Sequence, residues 1–280
     1  MYHKMSRILI VGSGITGATT ASLLRQHLPE NISISIWDKG REAGGRMSVT
    51  HCPTDPLITA DLGAQYITLS KEYYVKRQSL YDELQLQGIL RQKQGQIEGP
   101  NNFDKPGAQH FVMPHGSNSL VKYFLQKSAA TVTHQYKVSK VSFHAGSQVS
   151  VTTHNDVTED FDIVILTLPT PQILQLEGSL RESIGTHPDV EKKLLNVTYS
   201  SRYAVGLFFP PKTDLNYPWC AKYVSDNPCV RYIAIDHAKR GVVDPNKCQS
   251  VVVHTSVPFG LAHLEDDVDI VRNEILGHVC

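Results

Sequence analysis

Gly12-Ser13-Gly14-Ile15-Thr16-Gly17 follows the apolar run Arg7-Ile8-Leu9-Ile10-Val11 and opens a helical stretch, Ala18 to Leu28, that Pro29 closes. A G-x-G-x-x-G triplet constrains a fold only in that strand–turn–helix context. Gly12 permits the tight turn, Gly14 lets a pyrophosphate approach the backbone, and Gly17 lets the helix pack close to the strand. The unpaired N–H groups and positive end of the helix then face the anion. Ile32, Ile34 and Ile36 alternate into Trp37-Asp38, so the opening reads as a βαβ unit with buried parallel strands. Asp38 lies 21 residues after Gly17, where a carboxylate accepts from both hydroxyls of an adenosine ribose. It argues against a 2′-phosphorylated cofactor there, because two anions repel.

A second element, Gly44-Gly45-Arg46-Met47, follows almost at once. Paired glycines let backbone pass near a cofactor, and an arginine there neutralises a pyrophosphate bidentately. A nicotinamide dehydrogenase does not need this loop; it is typical of two-domain flavoproteins whose FAD lies extended across the first domain. Asp61-Leu62-Gly63-Ala64-Gln65-Tyr66 places small residues beside an amide and a phenol, an arrangement suited to backbone lying against a flat ring. The alternative for this segment is a strand end with a bulge.

Further along, Lys71–Gln87 reads as a helix stopped by Gly88, and Ser117–Lys127 as a second with Ser117 as N-cap. The Gly-, Pro-, Asn- and Gln-rich stretch 92–107 reads as a loop crossing between domains. Period-two segments at Thr131–Tyr136, Val138–Phe143 and Val149–Thr153 predict strands, as does the run Phe161–Thr167. Leu168-Pro169-Thr170-Pro171 reads as an exit between domains. Short helices (Pro171–Leu176, Val190–Leu195), strands (Tyr203–Phe209, Val230–Ile235, Ser250–Thr255) and a final helix, Glu265–Leu276, complete the chain. The expected fold is α/β: a Rossmann-like domain plus a mostly antiparallel substrate domain with helices. The first takes residues 1–74 and 107–170, the second 75–106 and 171–280.

Composition removes several classes. Lys+Arg and Asp+Glu both number 27, which gives no electrostatic reason to expect nucleic acid or an anionic membrane. No apolar run approaches the roughly 18 residues of a membrane span. The five cysteines lack paired metal-ligand spacing, so no metal is expected and reduced thiols in the cytosol are the simpler reading. Cleaving a signal peptide through Gly17 would delete the first strand and the phosphate turn together, which also favours a cytoplasmic location.

The series Val11-Gly-Ser-Gly-Ile-Thr-Gly17, Trp37-Asp-Lys39, Gly44-Gly-Arg-Met47, Ala60-Asp-Leu-Gly-Ala-Gln-Tyr-Ile-Thr68 and Tyr81-Asp-Glu-Leu84 resembles the renalase family of FAD-dependent, amine-oxidase-like flavoproteins. So do Leu166-Thr-Leu-Pro169, Ile173-Leu-Gln-Leu176, Tyr199-Ser-Ser-Arg-Tyr-Ala204, Asn227-Pro-Cys229 and His254-Thr-Ser-Val-Pro-Phe-Gly260. The resemblance runs from about residue 7 to about residue 275 and includes segments with no evident chemical duty. It implies an FAD-dependent oxidase that converts 2- and 6-dihydro isomers of NAD(P)H to NAD(P)+ and passes the electrons to O2, forming H2O2. It places Thr16, Arg46, Gln65 and Tyr66 on FAD contacts, and Gly12, Gly14, Gly17 and Asp38 on the nucleotide fingerprint, with Gly45 in the second loop. The family is reported outside cells with a cell-surface receptor, so secretion is the alternative location. The family also continues for some tens of residues beyond Cys280, returning to the FAD domain with a Gly-rich turn and a helix. The expectation is a C-terminally truncated form with part of its flavin cradle missing.

Hydride transfer between stacked rings needs positioning rather than a side-chain nucleophile, and no Ser-His-Asp or Cys-His arrangement stands out. His254, placed after the strand Ser250–Val253, is the one histidine expected near substrate, to orient an amide or phosphate; a plain core or surface role competes. Tyr203, Phe208 and Trp219 are expected as substrate-domain core more than as a pocket. Cys229 to Lys239-Arg240 reads as an exposed, solvated basic hairpin. Two rival functions stand beside the main one: a flavin amine oxidase on small amines, and a non-enzymatic secreted signalling or binding protein.

Overall fold

The computed structural model describes residues 6–100, 106–144, 146, 148–242 and 244–279. It divides into two compact units, 1–45 with 121–199 and 46–120 with 200–280.

In the first unit, strands Arg7–Val11, Ser33–Asp38, Thr131–His134 and Ile163–Leu166 form a parallel sheet in the order 163–166, 7–11, 33–38, 131–134. The first strand is apolar from Ile8 to Val11 because it serves two cores. Ile8 and Ile10 pack with Ile34, Ile36 and Ala21 of the helix Ile15–His27. Leu9 and Val11 face the other way, onto Trp37, Val151 and Phe161. An antiparallel sheet of Val138–Phe143, Val149–Thr153 and Thr158–Phe161 covers that second face. The run 161–167, expected as one strand, is two: Asp162 divides it, so that 158–161 pairs in the antiparallel sheet and 163–166 in the parallel one. Asp162 accepts the Arg7 N–H at 2.8 Å, fixing the switch. Helices Thr170–Leu174, Ser179–Gly185 and Pro188–Leu195 complete this unit.

The second unit is built on a five-stranded sheet ordered 204–209, 249–255, 230–235, 221–223, 97–98. The strand Gln249–Thr255, paired on both sides, is buried at all but one position. The stretch expected as a crossing loop contributes to this sheet: Ile97–Glu98 pairs parallel with Ala221–Lys222, and residues 101–105 lie outside the described residues. A hairpin of Val49–His51 and Thr59–Asp61, and a small sheet of Ile67–Leu69, Gln109–Val112 and Arg91–Gln92, flank it. The helix expected over 71–87 is broken into Lys71–Lys76 and Gln78–Leu86 at Arg77 (φ −127°, ψ 17°). No glycine or proline marks the break; Tyr74 and Tyr81, from the two halves, both pack on the buried Phe111 at 6.2 and 6.0 Å. The last helix runs Val268–Val279.

Candidate functional site

The phosphate turn of the first unit is shaped by its glycines in two different ways. Gly12 has φ +113°, and a Cβ at Gly17 would lie 1.9 Å from the Gly12 carbonyl oxygen, so both positions exclude side chains for reasons of packing. At Gly14 a Cβ would meet nothing nearer than the Gly44 carbonyl oxygen, at 3.9 Å. Packing therefore leaves the Gly14 side open. Gly14 and Gly44 form an isolated parallel bridge, and Gly45, at φ +55°, would bring a Cβ within 3.5 Å of Gly14 Cα. The two glycine loops of the sequence thus meet face to face.

Helix Ile15–His27 starts at Gly14 without a side-chain cap and without an acid in its first turn, and Thr16 is exposed there. Its leading N–H groups are the ready anion site that such a terminus provides. Asp38 stands beside it: Oδ2 accepts from Ser13 N (2.5 Å) and Ser13 Oγ (2.9 Å), and Oδ1 accepts from Gly40 N (2.6 Å). A carboxylate has about four acceptor positions, so these bonds fix the group and leave room for a ribose hydroxyl. Open backbone at Gly14, an uncapped helix start and an anchored acid fit the adenosine diphosphate half of FAD.

In the second unit, Arg46 opens the segment. It is exposed, and among the described residues its guanidinium has no partner. Its carbonyl accepts from Ala64 N at 3.0 Å, and a Cβ at Gly63 would sit 2.0 Å from that same oxygen. This close approach holds the segment Asp61–Tyr66 against the loop.

The Asp61 side chain is the centre of a buried charge cluster that the sequence did not disclose. Helix Asp236–Arg240 follows strand Val230–Ile235 and turns Lys239 and Arg240 inward, where both are buried. Lys239 Nζ lies 2.6 Å from Asp236 Oδ1 and 3.1 Å from Asp61 Oδ2. Arg240 Nη2 reaches Asp61 Oδ1 at 2.8 Å and Asp236 Oδ2 at 3.2 Å. Two acids and two bases make a neutral quartet. Burial drives the Asp61 carboxyl upward, but Lys239 and Arg240 outweigh it and hold it below the ordinary range. For Arg240 burial likewise opposes the charge, and Asp236 and Asp61 raise it above the usual value. The expected solvated hairpin is corrected here: neither cation is on the surface, because each is matched to a carboxylate distant in sequence.

The quartet reaches the site residues through Gln65. Lys239 Nζ donates to Gln65 Oε1 at 2.8 Å, while Gln65 Nε2 donates to the carbonyls of Asp61 (2.5 Å) and Gly63 (3.0 Å). The amide orientation is thereby determined. His254 Nε2 lies 3.3 Å from Gln65 Nε2. His254 sits within the strand Gln249–Thr255 rather than after it. Burial is the main cause that lowers its pKa to about 4, with Lys239 and Arg202 adding to the effect and a Leu62 backbone hydrogen bond opposing it. The imidazole is neutral at pH 7. Around it stands an aromatic group: Tyr66 and Tyr223 hydroxyls are 2.7 Å apart, the Tyr223 and Tyr232 rings 5.0 Å, and the Tyr232 and His254 rings 5.7 Å. Tyr232 is buried with no hydrogen-bond partner for its hydroxyl, and burial pushes its pKa well up.

The structure thus brings Gly12, Gly14, Thr16, Gly17, Asp38 and Gly45 together in one unit, and Gln65 and His254 together in the other. Sequence reading missed Tyr223, Tyr232, Asp236, Lys239 and Arg240; the i, i+3 and i, i+4 spacing of Asp236 to Lys239 and Arg240 was the available signal. Tyr203 packs in a core cluster and its hydroxyl donates to the His263 carbonyl at 2.6 Å, in line with the core reading. Trp219 stacks on Tyr217 at 4.8 Å. Among the described residues there is no group of three or more possible metal ligands and no helix long and apolar enough to cross a membrane.

Two family models match: the NAD(P)-binding Rossmann-like domain over residues 10–84 and the flavin containing amine oxidoreductase over 90–219. Among solved structures, a protein from Exiguobacterium sp. 255-15 described as a protoporphyrinogen oxidase aligns at TM-score 0.70 and 13% identity, covering 98% of this chain and 82% of that one. Putrescine oxidase with bound putrescine aligns at TM-score 0.63 and 11% identity, covering 98% and 81%. At such identities the likeness shows the fold alone. Fold and family matches together define a flavin-dependent oxidoreductase with FAD as its cofactor. Renalase of Mus musculus is 42% identical over 261 residues, 93% of this chain and 75% of the relative. The chain belongs to the renalase family.

Proposed function

We propose that the protein oxidises the 2- and 6-dihydro isomers of NAD(P)H to NAD(P)+ with O2 as final acceptor and H2O2 as product. FAD, when bound, would supply the two-electron redox chemistry that links oxidation of the substrate to O2. The remaining work is positional. The turn Gly12–Gly17 with Thr16, together with Gly45 and Arg46, would hold the pyrophosphate, and Asp38 the adenosine ribose. Gln65 and Tyr66 would contact the flavin, and His254 would orient the substrate. The functional partition, with 1–74 and 107–170 for FAD and 75–106 and 171–280 for substrate, belongs to the same proposal.

The observation that carries this reading is the uncharged state of His254 beside a compensated quartet. The imidazole is uncharged at pH 7, its neighbours are an amide and phenols, and the four charges of the quartet compensate one another, with the Arg202 cation also opposing its protonation. Such groups suit a neutral dihydropyridine carboxamide, whereas an alkylammonium gains most from an uncompensated anion, and the quartet's anions are each matched by a cation. The match to amine oxidoreductases supports oxidation of small amines as the second reading.

Anaerobic mixing of the FAD-loaded protein with each dihydro isomer, and separately with small amines, tests the choice. Bleaching of the flavin band at about 450 nm by the isomers and not by amines is the expected result; the converse overturns the reading. If Gly14 and Arg46 substitutions leave the biological effect of the protein intact, a binding role replaces the catalytic one. Cytoplasmic location follows from the need to keep the first strand, and N-terminal sequencing of the mature protein tests it against secretion.

A further inference from the structure

The described cysteines do not share one environment. Cys229 and Cys220 are buried; burial pushes the Cys229 thiol up to about 11 and raises Cys220 as well. Cys52 and Cys248 differ in being neighbours. The Thr54 hydroxyl lies 3.3 Å from Cys52 Sγ and 3.5 Å from Cys248 Sγ, so one oxygen touches both sulfurs.

The backbone produces this meeting. Cys52 follows the strand Val49–His51, and its N–H donates to the Ile58 carbonyl at 2.8 Å, closing the turn that leads into strand Thr59–Asp61. Cys248 immediately precedes strand Gln249–Thr255, whose Ser250 hydroxyl donates to the Thr59 carbonyl at 3.0 Å. The start of one strand is thereby tied to the end of the hairpin turn, and this brings both thiols to the same Thr54 hydroxyl. Burial opposes ionisation of Cys52, but hydrogen bonds from Thr54, the Asp55 backbone and Cys248 lower its pKa overall. Cys248 is half-buried and Thr54 exposed, which opens the pair to small solutes.

We propose that Cys52 and Cys248 form a peroxide-responsive thiol pair that closes to a disulfide. The sulfur of the more accessible Cys248 attacks one peroxide oxygen, the O–O bond breaks, and the thiol proton passes to the leaving oxygen, giving a sulfenic acid and water. Cys52 thiolate then attacks that sulfur, the S–S bond forms, and the sulfenic oxygen leaves as a second water. Two thiols lose two electrons and two protons, and one peroxide becomes two waters. The bridge would staple the 52–58 turn to the strand that carries His254. The reading of the protein as an H2O2-forming oxidase enters only as the natural source of peroxide.

The test uses the fully reduced whole protein with added hydrogen peroxide, so it is independent of turnover. Alkylation in denaturant followed by peptide mapping should reveal one cross-linked pair joining the Cys52 and Cys248 peptides, lighter by two hydrogen masses and restored by thiol reductant. Cys220 and Cys229 should stay fully alkylated. Cys52→Ser should remove the cross-link and leave a sulfenic acid on Cys248 that dimedone traps; Cys248→Ser should remove the cross-link without that adduct. Overoxidation of either sulfur without a bridge, a bridge to another cysteine, or no reaction while dimedone labels a control thiol overturns the proposal. A bridge in the wild type that survives as amine or isomer oxidation fails in separate assays keeps the thiol pair and discards only the peroxide source.

Discussion

Replacing Lys239 by Met isolates the energetic role of the buried quartet. Lys239 is fully buried and contacts Asp61 at 3.1 Å, Asp236 at 2.6 Å and Gln65 at 2.8 Å. Methionine keeps the volume and the stem but removes one of two cations, leaving Arg240 to face two carboxylates. Breaking a buried ion pair from one side costs about 3–5 kcal/mol, since an uncompensated charge remains. That is a third or more of the 5–15 kcal/mol that typically separates folded from unfolded chains. The sign with pH discriminates further. In the wild type Asp61 is held below its ordinary pKa, so its stabilisation is present at neutral pH and is lost as pH falls through the folded pKa. In the variant one buried carboxylate is raised instead. The variant's deficit should therefore shrink as pH falls toward the carboxylate range and be full at pH 7. Adding Asp236→Asn restores neutrality with one acid and one base, and the double variant should be more stable than Lys239→Met alone. Urea unfolding of apo and FAD-loaded protein at several pH values measures this. A Lys239→Met loss below about 1 kcal/mol, or a double variant worse than the single, would refute the account of a compensated quartet.

Gly17→Ala should destabilise the apoprotein by about 3 kcal/mol through the backbone clash. Gly14→Ala should stay within about 1 kcal/mol in urea unfolding while FAD affinity, read by fluorescence quenching, drops at least tenfold; equal effects at both positions would contradict the open-cradle geometry. His254 has a folded pKa depressed from 6.5 to about 4, so protons favour the unfolded chain in that window and stability should fall by about 3 kcal/mol as pH drops from 6.5 to 4. His254→Gln should flatten this slope, and an NMR titration that finds the imidazole charged at pH 6 would end the argument. Gln65→Leu should leave a buried donor-acceptor set unsatisfied at Lys239 and the Asp61 carbonyl, costing about 1–3 kcal/mol; a stable variant would show that the amide is not the link between quartet and histidine.

What the chain settles locally and what it leaves to packing separate cleanly. Strand Arg7–Val11, the glycine turn, helix Ile15–His27 and the acid at Asp38 are contiguous, and each is specified by neighbours within a few residues: an apolar run, glycines that admit close backbone, a proline stop. Periodicity and turn chemistry act at that range, so the nucleotide fingerprint and the loop at Gly44-Gly45-Arg46 were legible before any coordinates. His254 was legible as a candidate, though its neutrality was not, because desolvation depends on what other segments cover it. The quartet was hidden for the same reason. Asp61 is separated from Lys239 by 178 positions and from Arg240 by 179, and in the linear chain -Asp-His-Ala-Lys-Arg- has the composition of a solvated turn. Only the register of strand 230–235 beside 249–255, with the 59–61 hairpin close by, turns those cations inward. Charges read along a chain look exposed because their partners are out of view; burial becomes possible when the fold supplies the opposite charge, and that is a property of three dimensions alone.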